Sequence, residues 1–290
     1  MKCAIFETNL LAMIKRILFP CFFTFTLLFS LNAQTSEDSL IFKQYNAQIN
    51  TKLPIDKTII ETGKFFLEKP YVANTLEVND TEQLVVNLRE LDCTTFVETA
   101  LALARTAKSK DFSFAGFQQN LTQIRYRNGK LNQYPSRLHY FSDWISDNQE
   151  KGIIKDITQK IGGDSIQVNV GFMSKNPDKY KALTAHPEFI PIVANQEKAI
   201  NQRTYFYIPK AKIASIAGKI KSGDIIAITT SYKGLDISHV GFALWQGKEL
   251  HFLHASSQFK KVIVSEKPLS DYVNGVKSNT GVIVVRPLLK

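Results

Sequence analysis

The chain predicts an α+β fold with helices first and an antiparallel sheet of about five strands last. Three observations carry that prediction. Apolar residues between position 34 and about position 125 recur at helical spacing. After Lys221 the chain breaks into short runs rich in β-branched and aromatic residues, separated by turn signals. No Gly/Ser-rich or Pro-rich linker, internal repeat or low-complexity tract divides the 290 residues, so residues 34–290 are expected to form one domain.

The first element is a leader. Lys15 and Arg16 precede an apolar run from Ile17 to Leu31, and Asn32-Ala33 before Gln34 offers small residues for cleavage. That is the layout of a secretory signal peptide over residues 1–33, with Met13 as an alternative start. The run is short against the roughly 20 apolar residues a membrane helix needs, and it contains Pro20. Cleavage is therefore expected, with no stable membrane span left afterwards. The predicted location is the periplasm, or outside the cell.

Lys and Arg number 36 against 26 Asp and Glu, a formal net charge of +10. A basic exported protein suits anionic polymers such as cell-wall peptides, although an ordinary solvated surface carries such a charge equally well. No dense Lys/Arg cluster is interleaved with aromatics, which argues against nucleic acid as a partner. A monomer is the default expectation.

Beyond the leader, Phe42, Tyr45, Ile49, Ile59, Ile60, Phe65 and Phe66 read as helices interrupted at Pro54. Pro70 to Glu77 reads as a loop or short strand. Asp92 is a good N-cap for a helix running to about Ala107, with Phe96, Ala100, Leu103 and Ala104 on one stripe. Phe112 to Arg125 is a further amphipathic helix. Residues 130–200 are mixed, with turns at Gly162-Gly163, Pro177, Pro187 and Pro191. The strands are Gly223–Thr230, His239–Trp245, Glu249–His254, Lys261–Ser265 and Gly281–Pro287.

Chemistry centres on Cys93. Cys3 and Cys21 fall in the leader, so the mature chain keeps one thiol. In an exported protein it has no internal disulfide partner, and is either buried and inert or reactive. Its place after Asp92, in the first turn of a helix, favours an anion and predicts a lowered thiol pKa. A thiol nucleophile needs a base, and histidine titrates near neutrality. Of His139, His186, His239, His251 and His254, His239 begins a strand. It also falls within the roughly 130–150 residues that separate Cys from His in the papain-like arrangement. A third group should orient the imidazole. His251 and His254 are three apart, so in a strand at most one of them faces the thiol. The same parity opposes His251 and His254 both serving one metal; a zinc site from His239, His251 and His254 stays open, but no Cys pair or His-Glu-x-x-His spacing supports it, and no metal or cofactor is expected. Around the string Ser136-Arg137-Leu138-His139-Tyr140, Arg137 could hold a carboxylate bidentately and Tyr140 could stack on a sugar face. Asp236 could bind a free amine or stabilise the turn after Gly234.

Taken together, Asp92-Cys93-Thr94, Ser222-Gly223-Asp224, Ser238-His239-Val240-Gly241-Phe242 and His254-Ala255-Ser256-Ser257 resemble the NlpC-type cell-wall cysteine hydrolases. The resemblance implies a papain-like core, Cys93 as nucleophile, His239 as base and His254 as orienting residue, with His251 a bystander. Thr94-Thr95 replaces the Ser-Gly common after the cysteine, and the Cys-to-His interval is long. Those two features, with Pro70-Tyr71-Val72-Ala73, Ile124-Arg125-Tyr126-Arg127 and the Arg137 string, are similar to the N-acetylmuramoyl-L-alanine amidase-like branch. That branch implies cleavage between the muramic acid lactyl group and L-alanine of peptidoglycan or muropeptide fragments, with an anhydro sugar among the options. Tyr71, Arg137, His139, Tyr140 and Asp236 are the substrate-binding candidates. Two alternatives stand beside it. One is an endopeptidase cutting between D-glutamate and the third stem residue. The other is a non-catalytic wall-binding protein with a structural thiol.

Overall fold

Residues 37–289 are described by a computed structural model, and the expected signal peptide lies outside the described residues. Helical residues 37–48 form α1, and α2 spans Ile55–Phe65. Pro54 is the N-cap of α2, where its missing N–H removes no helix bond. The long helix is α3, Cys93–Lys108. Its expected one-sided stripe is an underestimate, because Ala100, Leu101, Ala102, Leu103 and Ala104 are all fully buried. A helix apolar on every side belongs in a core. It is flanked by α2 and by α4, Phe114–Arg125, and α5, Phe141–Glu150, packs beyond α4. Among the described residues, no helix is long and apolar enough to cross a membrane.

Among the described residues the sheet has eight strands rather than five. All five predicted strands form: β4 Ile225–Thr230, β5 Ile237–Gln246, β6 Glu249–Ser256, β7 Lys261–Val264 and β8 Asn279–Pro287. Three more come from the mixed stretch: β1 Ile154–Asp156, β2 Asp164–Ile166 and β3 Tyr205–Pro209. The first two are only three residues long, below the run length that announces a strand in a sequence. The strand order is β2-β3-β8-β4-β5-β6-β7, with β1 also paired to β8, and each pairing is antiparallel.

Both faces of this sheet are covered, and the side chains alternate between them with period two. Ile225, Ala227, Val240, Phe242, Leu253, Ala255, Ile283 and Val285 face the core under α2, α3 and α4. Ile226, Ile228, Ala243, Phe252, Val282 and Val284 face a second core, closed by the short helices α9 (Ile213–Ile216) and α10 (Leu269–Asn274). A third cluster gathers α6 (Phe172–Lys175), α7 (Lys181–Ala185) and α8 (Phe189–Asn201) around Tyr134 and Tyr140. This unit builds one wall of a cleft at the start of β5.

Candidate active site

Cys93 is the first residue of α3. The Asp92 carboxylate accepts the Thr95 N–H at 2.7 Å, and the Thr95 hydroxyl accepts the Asp92 N–H at 2.9 Å. This reciprocal capping box gives Thr95 its local role, and such a cap is worth about 1 kcal/mol. The helix ladder begins only at Phe96, whose N–H donates to the Asp92 carbonyl at 2.9 Å. The N–H groups of Cys93 and Thr94 precede it.

The helix start meets β5 at a place left open by its neighbour. β5 pairs with β4 from Ile237 onward, but with β6 only from Phe242. In that gap the Cys93 sulfur takes hydrogen bonds from the Val240 backbone and from Thr94. Val240 and Phe242 turn into the core beneath α3, while His239 takes the other face with Phe252 and His254.

His239 Nε2 lies 2.7 Å from His254 Nδ1. His254 is fully buried, stacked on Phe252 with ring centroids 4.7 Å apart and edge-on to Tyr272 at 5.1 Å. Its Nε2 has no hydrogen-bond partner. Gly241 makes room for this arrangement. A Cβ there would lie 2.8 Å from His254 Cβ and 2.6 Å from the Leu253 carbonyl. His251 points elsewhere, with Nδ1 2.9 Å from the Ser265 carbonyl and Nε2 3.6 Å from Glu249, as strand parity requires.

The expected lowering of the thiol pKa is not found. Burial, and after it the Asp92 carboxylate, push Cys93 up from 9.0 to about 12. That rise is worth about 4 kcal/mol. A helix end supplies only about 0.3–1 kcal/mol in the other direction, so desolvation wins. Burial likewise depresses His239 to about 4 and His254 to about 3, the latter with a contribution from His239. At neutral pH all three groups are uncharged.

Cys93, His139, Tyr140, Asp236 and His239 line a single cleft of about 220 Å³. Burial, and after it the neighbouring Cys93 and Asp92 charges, push the Tyr71 hydroxyl up to about 12. Its N–H donates to the Lys260 carbonyl at 2.9 Å, holding residues 70–71 between β7 and Leu91. The other candidates carry structural bonds as well. Asp236 accepts the Ser142 N–H at 2.7 Å and the Ile237 N–H at 2.8 Å, tying the start of α5 to the start of β5. The Tyr140 hydroxyl donates to Glu197 at 2.7 Å and accepts the Phe172 and Met173 N–H groups. His139 bonds the Tyr134 carbonyl at 2.9 Å, and burial with the Arg137 charge depresses it to about 3.

Arg137 is outside the cleft lining. Its guanidinium pairs with Glu77 and, at 3.5 Å, with Glu82, and lies 5.0 Å over the Tyr134 ring. It positions Glu77, a cleft residue at the end of the stretch expected as a loop or short strand. Tyr180 and Met173 of the insertion also line the cleft, and Tyr272 packs behind it; none of the three had a signal in the sequence. Among the described residues, no group of three His, Cys, Asp or Glu side chains converges as metal ligands.

The chain is similar in sequence and fold to known proteins. The AmiA-like family, described as N-acetylmuramoyl-L-alanine amidase-like, matches residues 61–282. An N-acetylmuramoyl-L-alanine amidase from Bacteroides uniformis is 41% identical, covering 80% of this chain and 98% of its own, with a TM-score of 0.77. A Bacteroides fragilis protein named as a candidate xylanase is 43% identical over 78% of this chain and 99% of its own, with a TM-score of 0.75. A Legionella pneumophila protein at 24% identity shares the fold, with a TM-score of 0.65 over 89% of this chain and 95% of its own. No curated protein matches. With the family match spanning most of the sequence, the chain belongs to the AmiA-like, N-acetylmuramoyl-L-alanine amidase-like family.

Proposed function

We propose that the protein is a cysteine amidase of the papain-like, NlpC-type class. Its reaction is hydrolysis of the amide between the lactyl group of N-acetylmuramic acid and L-alanine in peptidoglycan or its fragments. The observation that carries this reading is the Cys93 thiol at a capped helix start, sharing a cleft with His239, whose far nitrogen is held by His254. In the tautomer this reading requires, His239 Nε2–H donates to His254 Nδ1, which leaves Nδ1 of His239 as the free base. Burial keeps His254 neutral and therefore able to accept that bond.

The proton of Cys93 passes to His239 as sulfur attacks the carbonyl carbon. The resulting oxyanion sits at the first-turn N–H of Cys93; loss of one such donor typically costs on the order of 10²–10³ in rate. His239 then protonates the departing alanine nitrogen, and water hydrolyses the lactyl thioester, returning the proton to sulfur. No metal or organic cofactor enters these steps. Because thiol and imidazole rest uncharged, proton transfer accompanies attack instead of preceding it.

The xylanase name of the Bacteroides fragilis relative implies a pair of free carboxyl groups. Here Asp236 is engaged by two backbone N–H groups and Glu77 by Arg137, which supports the amidase. We take residues 34–290 as one functional unit with an insertion between the Cys93 helix and β4, acting as a monomer in the periplasm after leader removal.

The test is mass spectrometry of the products from a muropeptide carrying sugar and stem peptide. Free sugar plus a peptide beginning with L-alanine supports the amidase. A sugar-dipeptide moves the assignment to the endopeptidase. Cys93→Ala should give no product, and full activity in it would overturn the mechanism.

A further inference from the structure

Buried carboxylates in this chain commonly answer an arginine: Glu98 pairs with Arg125, and Asp143 lies between Arg127 and Arg203. Among the described residues, Glu197 has no such partner. It is 4% exposed on α8, and the groups that bond it are uncharged: the Tyr140 hydroxyl at 2.7 Å, the Ser174 N–H at 3.1 Å and the Ser174 hydroxyl. A carboxylate taken out of water without a cation is costly unless donors are aimed at it. The donors here all belong to one wall of the cleft or to the residue that braces it.

The Tyr140 hydroxyl that donates to Glu197 accepts the Phe172 and Met173 N–H groups at 3.0 and 3.1 Å. Phenol and carboxylate together therefore take the first three N–H groups of α6. One turn further along α8, Asn201 lies on the same helix face and holds Val170 at both ends. Its Oδ1 accepts the Val170 N–H at 2.7 Å, and its Nδ2 donates to the Val170 carbonyl at 2.8 Å. Between these anchors the Gly171 N–H reaches the Gly234 carbonyl at 3.2 Å, just before Leu235 and Asp236 of the cleft lining. Met173 is the residue that this clamped segment presents to the cleft at Cys93. A methionine side chain has three rotatable bonds and adapts to its surroundings, so a Met wall is only as fixed as its backbone. Tyr140 is also the N-cap residue of α5, and two residues on, the Ser142 N–H is held by Asp236. Residues 140–142 thus join the two sides of the cleft, one braced by Glu197 and the other by Asp236.

We propose that Glu197 is a positioning residue: through Tyr140 and Ser174 it fixes the Met173 wall and so sets the width of the cleft at the thiol, with Asn201 in the same role. Its kinetic test rests on the amidase reading; its chemical test does not. The chemical test compares alkylation of Cys93 by iodoacetamide and by a bulky fluorescein maleimide. The ratio of bulky to small rates cancels any change in the thiol pKa, because both reagents meet the same thiolate. That ratio should rise about tenfold in Glu197→Ala, the scale of one lost hydrogen bond to a charged group. It should rise in Asn201→Ala and Tyr140→Phe as well. Glu197→Gln keeps an oxygen for Tyr140 and gains a donor for the Ser174 hydroxyl, and should stay near the wild type. On muropeptide, Glu197→Ala should raise KM about tenfold with kcat held within about twofold, since Cys93, His239 and His254 are untouched. Tyr140→Phe should match it, and the double variant should be no worse than either. An unchanged alkylation ratio, a Gln variant as defective as the Ala variant, or a fall in kcat at constant KM would overturn the proposal. If Glu197→Ala does not fold, Asn201→Ala and Tyr140→Phe read the same ratio. Cleavage by the wild type with the ratio indifferent to these changes defeats the wall alone. A ratio that shifts as expected, in a protein that does not cleave the lactyl amide, defeats the amidase alone.

Discussion

Nε2 of His239 lies 2.7 Å from Nδ1 of His254, with the two rings at 89° to one another. The perpendicular setting lets one imidazole accept along its lone-pair direction while an aromatic cage of Phe252 and Tyr272 holds it. His254→Ala removes the acceptor, and kcat is expected to fall on the order of 10²–10³, the scale of misplaced general-base catalysis. His254→Asn keeps an acceptor and should recover part of that loss. Equal rates for the wild type and His254→Ala, measured on muropeptide, would remove His254 from the mechanism.

Gly241→Ala tests why this strand begins His-Val-Gly. The new methyl would press on the Leu253 carbonyl and on His254 Cβ. Overpacking of this kind costs typically about 1–3 kcal/mol. Thermal unfolding should show that loss, and kcat should fall further than stability alone explains, because His254 is what moves. A variant with the stability loss but wild-type kcat would show that the ring has another way to fit.

Asp92 both caps α3 and raises the thiol. Asp92→Asn keeps a side-chain oxygen for Thr95 while removing the charge, so the Cys93 pKa should drop and alkylation by iodoacetamide at pH 8 should quicken. Asp92→Ala should quicken it too, but at a stability loss of about 1 kcal/mol. An unchanged alkylation rate in both variants would mean that the carboxylate does not act on the sulfur. Slow alkylation of the wild type is expected here even of a nucleophile, so reactivity alone does not separate enzyme from binding protein.

The pH profile distinguishes a neutral pair from an ion pair. With His239 depressed to about 4, kcat/KM should hold until pH falls through about 4, where the base becomes protonated. With Cys93 near 12, no alkaline limb from thiol or imidazolium should appear up to about pH 10. A thiolate–imidazolium pair would instead lose activity as its imidazolium deprotonates at mildly alkaline pH. An alkaline limb near pH 8–9 would therefore contradict the resting state described above.

Much of the site was legible because its determinants are local. Asp92 announces a helix start, and the three-residue separation of His251 and His254 decides that only one can join His239. What stayed hidden depends on distant partners. Nothing near Arg137 in sequence says that Glu77 and Glu82 claim its guanidinium. The raised thiol pKa arises from packing around Cys93, which one helix cannot reveal. β1 and β2 are too short to show an alternation, and β3 lies in a stretch whose turn residues obscure it. Tyr272 enters only through the packing of α10 on the sheet.

The position of β8 has a consequence for how the protein comes to be active. It lies between β3 and β4 in the sheet, though it is the last of the described strands in sequence. Until it arrives, β4 lacks a neighbour on one side and β1 and β3 have nothing central to join. Such pairing between sequence-distant segments forms late and slowly. The residues gathered along β5 would thus come into register only once β8 has been made and has inserted between β3 and β4, so the cleft around Cys93 and His239 is completed at the end of folding.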